Sequence, residues 1–245
     1  MPAFNPRELD VIMAAVNAHV DEAIEEAENA GFGVIKSAYE KGVDYGNRDI
    51  KGSGSMIVPP DPAELEFLKG YNFDLISGFG EDVKKDIKRV IRDGITNGKS
   101  VTQVAADLRA VLRAKEWRIN TIARTEVMRA ANYGRYSAWK RSGVVKGKEW
   151  VTAWDDRTCD ICMGLDGERR KLDDVFSIGV MMPPAHPNCR CTAVPILMDE
   201  KLVAKNNPAE IRAATLERDY SAILKRAFKG AVANIVNVLT LHLGG

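Results

Sequence analysis

Five side chains that commonly bind metals are concentrated in one short stretch of the sequence. All four cysteines and one of the three histidines lie between residues 159 and 191, in the order C-x-x-C, a loop, and H-x-x-C-x-C. Thiolates and an imidazole at such spacing are typical of a tetrahedral zinc site. We therefore predict one structural zinc ion bound by Cys159, Cys162, Cys189 and a fourth ligand, either His186 or Cys191. The spacing favours His186, because two residues separate it from Cys189, just as two residues separate the cysteines of the C-x-x-C pair.

Two other interpretations of these cysteines fit the sequence less well. A Cys159–Cys162 disulfide needs an oxidising compartment, and no secretory signal is visible, so we expect reducing surroundings. A catalytic zinc keeps an open coordination position beside an acid or base, and neither H-E-x-x-H nor H-x-E with P-C-x-x-C occurs. His19 and His242 lie near the chain ends, which argues against a nuclease of the His-Asn-His type. A zinc-dependent hydrolase acting on nucleic acid is the alternative function.

The elements that must position these ligands are short strands. Residues 149–154 alternate in the manner of a half-exposed strand, and Thr192–Leu197 reads as a second strand directly after the last cysteine. Trp150 and Trp154 are expected to fill the core of this small module, whose apolar content is too low for it to fold alone.

Helical periodicity accounts for most of the remaining chain. Gly31-Phe32-Gly33 is expected to end the first helix, Ser100 and Gln103 form an S-x-x-Q capping box, and Gly143 is expected to stop a long basic helix. The predicted helices cover about 6–30, 34–45, a segment ending at Asn97-Gly98, 100–113, 115–142 and 208–243.

The sequence thus predicts a mainly α protein with a small zinc-stapled α+β module. Gly, Ser and Pro interrupt all periodicity around residues 48–62, which suggests a flexible linker. Five regions follow: 1–47 acidic and helical, 48–62 linker, 63–146 helical, 147–198 the zinc module, and 199–245 a helical tail. No apolar run approaches the roughly 20 residues of a membrane span, so we expect a soluble protein without membrane contact.

A formal net charge of +1 hides an uneven distribution. Residues 1–50 carry ten acidic and four basic side chains, whereas residues 109–148 carry two acidic and eleven basic ones. Such a basic segment could bind double-stranded DNA without sequence specificity. The acidic N-terminal region is an equally good partner for it. The candidate DNA-binding residues are Arg113, Lys115, Arg118, Arg129, Arg135, Lys140 and Arg141.

An Arg124-Thr125-Glu126 motif lies in the long basic helix. Glu126 shares a helix face with Ile119, Ile122 and Ala130, so we expect its carboxylate against the core. A buried carboxylate needs a cation or hydrogen-bond donor. Arg124 and Glu126 are therefore predicted to clamp the helical part to the zinc module, with no catalytic role.

Together, several motifs in order resemble one known family. These are Ala123-Arg124-Thr125-Glu126, Trp139, the 149–154 strand, Asp156-Arg157-Thr158-Cys159, Leu165-Asp166-Gly167 and the closing P-P-x-H-P-N-C-R-C. Over about residues 70–196 they resemble the phage Mu F-like minor head proteins, also called the phage head morphogenesis domain.

The resemblance implies a structural minor capsid protein of a tailed phage or prophage rather than an enzyme. Such a protein would be made in the host cytoplasm and enter the virion in few copies. It would lie in the capsid interior near the portal protein and other capsid components, and would act in head assembly and in handling packaged DNA.

Overall fold

Three long helices precede a small sheet in this chain. The computed structural model describes residues 6–198, 222, 224–226 and 229–237. The helices are α1 (Pro6–Asp49), α2 (Pro62–Thr96), α3 (Val101–Ser142) and the short α4 (Asp160–Leu165); the strands are β1 (Val145–Val151), β2 (Arg169–Lys171) and β3 (Thr192–Leu197). The predicted fold class, mainly α with a small α+β part, is confirmed. Within the described part of the chain, no helix is both long and apolar enough to cross a membrane.

The sheet is antiparallel with strand order β2-β1-β3. Strand β3 has the predicted bounds, whereas β1 begins four residues earlier than predicted and ends at Val151. The sequence analysis missed β2, because the three exposed side chains of Arg169–Lys171 show no apolar alternation. Trp150 is buried as predicted, but Trp154 is 68% exposed, so its assignment to the core was wrong. It lies beyond the end of β1 in a left-handed backbone conformation with φ 49°.

Several helix ends lie where short sequence motifs predicted them. The Ser100 hydroxyl accepts the Gln103 amide at 3.3 Å, and the Gln103 side chain accepts the Ser100 amide at 2.8 Å, which completes the predicted capping box. Gly143, with φ 70°, follows the last residue of α3. Helix α2 ends at Thr96, directly before the predicted Asn97-Gly98 stop.

Two predicted helix breaks were wrong. Helix α1 continues through Gly31-Phe32-Gly33, and α3 continues across residue 114. A helical glycine costs only about 1 kcal/mol relative to alanine. Burial of Ile35 and Tyr39 in the next turns of α1 offsets that cost, since each is fully buried.

By its contacts the chain divides into two compact units. Unit 1 comprises residues 1–32, 70–120 and 220–245, and unit 2 comprises 33–69 and 121–219. The five regions proposed from sequence remain a prediction. Most of the predicted 208–243 helix lies outside the described residues; residues 222, 224–226 and 229–237 are helical, and we call them the C-terminal helical segment.

Unit 2 is built on a close backbone contact between α1 and α3. A Cβ at Gly42 would overlap the backbone of Ala131, and a Cβ at Gly134 would overlap the backbone of Tyr39 and Val43. Only glycine permits such an approach. The segment between α1 and α2 is anchored to the same unit, because the Asn47 side chain donates to the Val58 carbonyl and accepts the Val58 amide, both at 2.8 Å.

Candidate metal centre

Two segments of unit 2 bring the candidate ligands together. Cys159 directly precedes α4 and Cys162 lies in its first turn, while His186, Cys189 and Cys191 belong to the loop before β3. Two sets of three ligand atoms lie within 4.8 Å of one another, namely Cys159, Cys162 and His186, and Cys162, Cys189 and Cys191. Cys162 belongs to both sets. The cluster is therefore geometrically able to hold a metal ion.

The distances between donor atoms match tetrahedral coordination. The Sγ atoms of Cys162 and Cys189 are 3.7 Å apart, close to the edge of a tetrahedron whose metal–sulfur bonds are about 2.3 Å long. The His186 Nε2 atom lies 3.1 Å from the Sγ atoms of both Cys159 and Cys162. Cys189 shares a group of neighbouring donors with Cys162 but not with Cys159 and His186, so one ion bound by all four side chains requires the two groups to move closer together.

Hydrogen bonding prepares His186 to act as a ligand. Its Nδ1 atom lies 2.8 Å from the carbonyl oxygen of Pro187. A carbonyl only accepts, so Nδ1 carries the proton and Nε2 presents a free lone pair toward the cysteines. This is the usual orientation of an imidazole that binds a metal through Nε2.

Without a cation, the buried thiols cannot all ionise. Burial raises the pKa of the Cys162 thiol, and the thiol contact with Cys189 together with burial raises the pKa of Cys191. The same contact lowers the pKa of Cys189, which takes the negative charge. A bound divalent cation would remove this competition by stabilising several thiolates together.

An ion pair joins the two ligand-bearing segments. The Arg190 guanidinium donates to both carboxylate oxygens of Asp155. The same carboxylate accepts the Arg157 amide at 3.1 Å and the Thr158 hydroxyl at 3.3 Å, which shapes the turn that leads to Cys159. Chiefly through the Arg190 contact, the pKa of Asp155 lies well below its usual range. This pair braces the C-x-x-C turn against the C-x-C segment.

Asp166 fixes the chain between β1 and the metal-binding turn. Its Oδ1 atom accepts the amide of Thr152 at 2.8 Å and its hydroxyl at 3.1 Å, and its Oδ2 atom accepts the Trp154 indole N–H at 2.8 Å. Gly167 follows with φ 76°, and its amide donates to the Trp150 carbonyl at 2.9 Å. The Leu-Asp-Gly motif is therefore a structural turn.

The metal-binding loop docks on α3. The Asn188 amide donates to the Thr125 hydroxyl at 3.0 Å, and the Asn188 side chain donates to the Thr121 hydroxyl at 3.0 Å. Further along α3, Asn132 donates to the Cys191 carbonyl at 3.2 Å, and Arg135 donates to the Thr192 hydroxyl at 2.8 Å. Four side chains of one helix thus hold both ends of the H-P-N-C-R-C segment.

Comparison with known families identifies this part of the chain. Residues 85–194 match the family described as phage Mu protein F like protein. This part of the chain is similar to that family, and we call residues 85–194 the Mu F-like domain. The match covers slightly under half of the chain and includes all five candidate ligands. The family indicates a phage head morphogenesis protein. Comparisons with curated proteins and with solved structures gave no match.

In the Mu F-like domain, the Arg-Thr-Glu motif contributes its middle residue to the metal-binding loop. Glu126 is buried as predicted, at 4% exposure, and its carboxylate accepts a hydrogen bond from Arg129 at 3.0 Å. The cation that pairs with the Glu126 carboxylate, Arg129, thus lies one turn further along the same helix. Arg124 is half-buried. Thr125 accepts a hydrogen bond from the P-N-C-R-C segment through its hydroxyl. The clamp by Arg124 and Glu126 stays a prediction.

The candidate DNA-binding residues of the Mu F-like domain have varied surroundings. Arg135 is 2% exposed and bonded to Thr192, so it cannot reach a phosphate in this fold. The other six are at least partly exposed. Five of those have acceptors within unit 1 or unit 2: Lys115 with Asp86, Arg118 with Asp82, Arg129 with Glu126, Lys140 with Asp173, and Arg141 with the Pro59 carbonyl.

Sequence analysis missed the residues that hold the metal-binding loop in place. Thr121 and Asn132 are polar residues whose partners are distant in sequence, by 67 residues for Thr121 and by 59 residues for Asn132. The one local signal was the position of Thr121 and Thr125 four residues apart on α3, which places both hydroxyls on one face of the helix.

Proposed function

We propose that this chain is a structural minor capsid protein of a tailed phage or prophage, located in the capsid interior at the portal, where it acts in head assembly. The observation that supports this most strongly is the family match over residues 85–194. In that region the conspicuous polar side chains hold loops in place: Asp155, Asp166 and Thr125 are each engaged with neighbouring protein groups.

The same proposal includes one zinc ion bound by Cys159, Cys162, Cys189 and His186, with Cys191 as the alternative to His186. When bound, zinc would supply a rigid link between α4 and the loop before β3. A small sheet gains stability from such a link because metal binding contributes directly to its folding free energy. The ion-pair brace and the hydrogen bonds to α3 would orient the ligands and exclude other arrangements.

This donor set favours a structural ion over a catalytic one. Five protein donors surround a site that needs four, whereas a hydrolytic zinc needs a position for water. Asp155, an acid close in sequence to Cys159, is engaged by Arg190. The alternative of a zinc-dependent hydrolase predicts turnover of nucleic acid that Asp156→Ala or Glu126→Ala abolishes without unfolding the protein.

We also propose non-specific contact with packaged double-stranded DNA. The contact would use the exposed side chains among the candidate DNA-binding residues. Arg135 is no longer a candidate, because it is buried. Since five of the six remaining cations already have acceptors, binding should be weak and should fall steeply with salt. Co-sedimentation with duplex DNA at low salt tests it, and no binding there would remove DNA handling from the proposal.

The portal part of the proposal has a direct test. The protein is co-expressed with the portal protein encoded nearby, and the complex is sedimented at low and at moderate salt. We expect co-migration that survives moderate salt, because a specific interface depends mainly on buried apolar area and shape. Failure to co-migrate at either salt would contradict a portal location.

A further inference from the structure

A basic groove lies in unit 1, outside the metal centre. It is formed by one face of α3 and the C-terminal helical segment, and its cavity volume is about 370 Å³. Two cationic side chains come from α3 (Arg109, Arg113) and two from the C-terminal helical segment (Lys225, Lys229), and the lining also includes Leu112 and Val232. Each cationic pair has i,i+4 spacing, so the charges form two rows along the groove.

Most of this positive charge is uncompensated. Lys225 pairs with Glu116 at 3.2 Å. Among the described residues, Arg109, Arg113 and Lys229 have no ion-pair partner, and all three are exposed. The groove therefore carries an excess of positive charge and suits an acidic occupant.

The apolar lining distinguishes the groove from a phosphate-binding surface. Leu112 and Val232 also line the groove, and a DNA backbone, which binds mainly through charged phosphates, offers little apolar surface to cover them. An amphipathic helix with acidic side chains satisfies both features, because its apolar residues cover the floor and its carboxylates reach the rim.

This chain itself contains such a helix. On α1, Val11, Ala14, Ala18, Glu22 and Glu25 follow one stripe at spacings of three or four residues, and all five are exposed. Val11 is 55% exposed. Among the described residues, Glu22 has one ion-pair partner, His19 at 3.8 Å, and Glu25 has none. We call this surface the acidic stripe.

We propose that the acidic stripe of one copy docks in the basic groove of a second copy. Val11, Ala14 and Ala18 would cover the apolar floor, and Glu22 and Glu25 would approach the unpaired cations. The two surfaces differ, so the contact is head-to-tail and extends to rings or short chains rather than stopping at a two-fold dimer. This inference does not depend on the proposed role at the portal.

The test measures the mass of the full-length, metal-loaded protein by sedimentation velocity over a range of concentrations. We expect association that increases with concentration at about 50 mM salt and weakens at about 500 mM, where the Debye length shortens to a few ångströms. Arg109→Glu with Arg113→Glu should leave a monomer, and so should Glu22→Lys with Glu25→Lys. A matched control, Lys88→Glu with Arg92→Glu, reverses two exposed cations of α2 and should leave association unchanged.

A mixture of the two charge-reversed proteins tests whether the groove and the acidic stripe bind each other. An equimolar mixture of the two reversed proteins should associate, since the reversed groove of one matches the reversed stripe of the other. A wild-type protein that stays monomeric at low salt would overturn the proposal, and so would a mixture that stays monomeric. If the groove reversal abolishes binding of duplex DNA but leaves self-association at the wild-type level, the groove is a nucleic-acid surface and the proposal is wrong.

Discussion

The main-chain amide of Asn188 donates a hydrogen bond to the hydroxyl of Thr125 at 3.0 Å. These residues belong to the two most distinctive motifs of the sequence, R-T-E and H-P-N-C-R-C. The Thr125 hydroxyl donates a hydrogen bond to the Thr121 carbonyl at 2.6 Å, so its oxygen is oriented as an acceptor for Asn188. Asn188 adopts φ 61°, a left-handed conformation that asparagine tolerates better than most residues. This hydrogen bond joins the two motifs directly.

Removing the Thr125 hydroxyl should therefore loosen the metal-binding loop. Thr125→Val keeps the volume but leaves the Asn188 amide without its acceptor, which should lower the free energy of unfolding by about 1–3 kcal/mol. Thr125→Ser keeps the hydroxyl and is the matched control. Urea denaturation of both variants measures the difference. Equal stability of the two would show that the hydroxyl contributes nothing.

The proposed ligand set can be decided by cobalt substitution. With His186 as the fourth ligand, the Co²⁺-loaded protein should show the absorption of an S₃N site, and Cys191→Ser should leave the spectrum unchanged. Cys162→Ser should lose the tetrahedral spectrum and the metal, because Cys162 belongs to both groups of neighbouring donors. A Cys191→Ser protein with a weakened thiolate charge-transfer band would assign the fourth position to Cys191 instead.

Zinc removal should unfold the module around the sheet before the long helices. The module has an apolar cluster that includes Trp150, Phe176, Cys162, Cys189 and Cys191, so three candidate ligands are also part of its core. Chelation at neutral pH should release one zinc per chain and quench or shift Trp150 fluorescence, with most helical circular dichroism retained. An unchanged tryptophan signal after complete removal of metal would contradict the structural role.

Sequence patterns predicted the parts of this fold that depend on neighbouring residues. The capping box at Ser100, the stop at Gly143 and strand Thr192–Leu197 were all placed correctly, since their signals are local. The continuity of α1 could not be predicted. It depends on the burial of Ile35 and Tyr39 against partners far away in sequence, which outweighs a glycine-rich stretch. The position of Trp154 was missed for a similar reason, because a single carboxylate, Asp166, holds its indole at the surface.

Glycines of α1 should respond to substitution in opposite directions. Gly42→Ala places a methyl group against the backbone of Ala131, and we expect a loss of about 2 kcal/mol or more in the free energy of unfolding. Gly33→Ala lies in the same helix with no atom within 4 Å of the new Cβ, so it should stabilise by about 0.5–1 kcal/mol. Thermal unfolding of both variants measures the contrast. Destabilisation by both substitutions would show that the backbone contact with Ala131 is not the cause.

Asp49 should give the stability of unit 2 a distinct pH dependence. Burial raises the pKa of this carboxyl to about 6, while the charge of Arg135 and the Trp139 indole oppose the rise. The Asp49 Oδ2 and Arg135 Nε atoms are 3.7 Å apart, and the Arg135 side chain is only 2% exposed. The folded state therefore binds a proton more tightly than the unfolded chain, and this carboxyl contributes less stability as the pH rises through 6.

The variant Asp49→Asn removes this titration and leaves the shape unchanged. Between about pH 7 and about pH 5, the wild type should gain about 1 kcal/mol of stability relative to the variant, because only the wild type takes up the proton. Urea denaturation of both proteins at each pH gives the difference, and the shared metal site cancels in the comparison. Parallel curves for the two proteins would show that Asp49 keeps an ordinary pKa. A relative loss of wild-type stability at the lower pH would instead show that the Arg135 charge outweighs burial and holds the Asp49 pKa below its usual value.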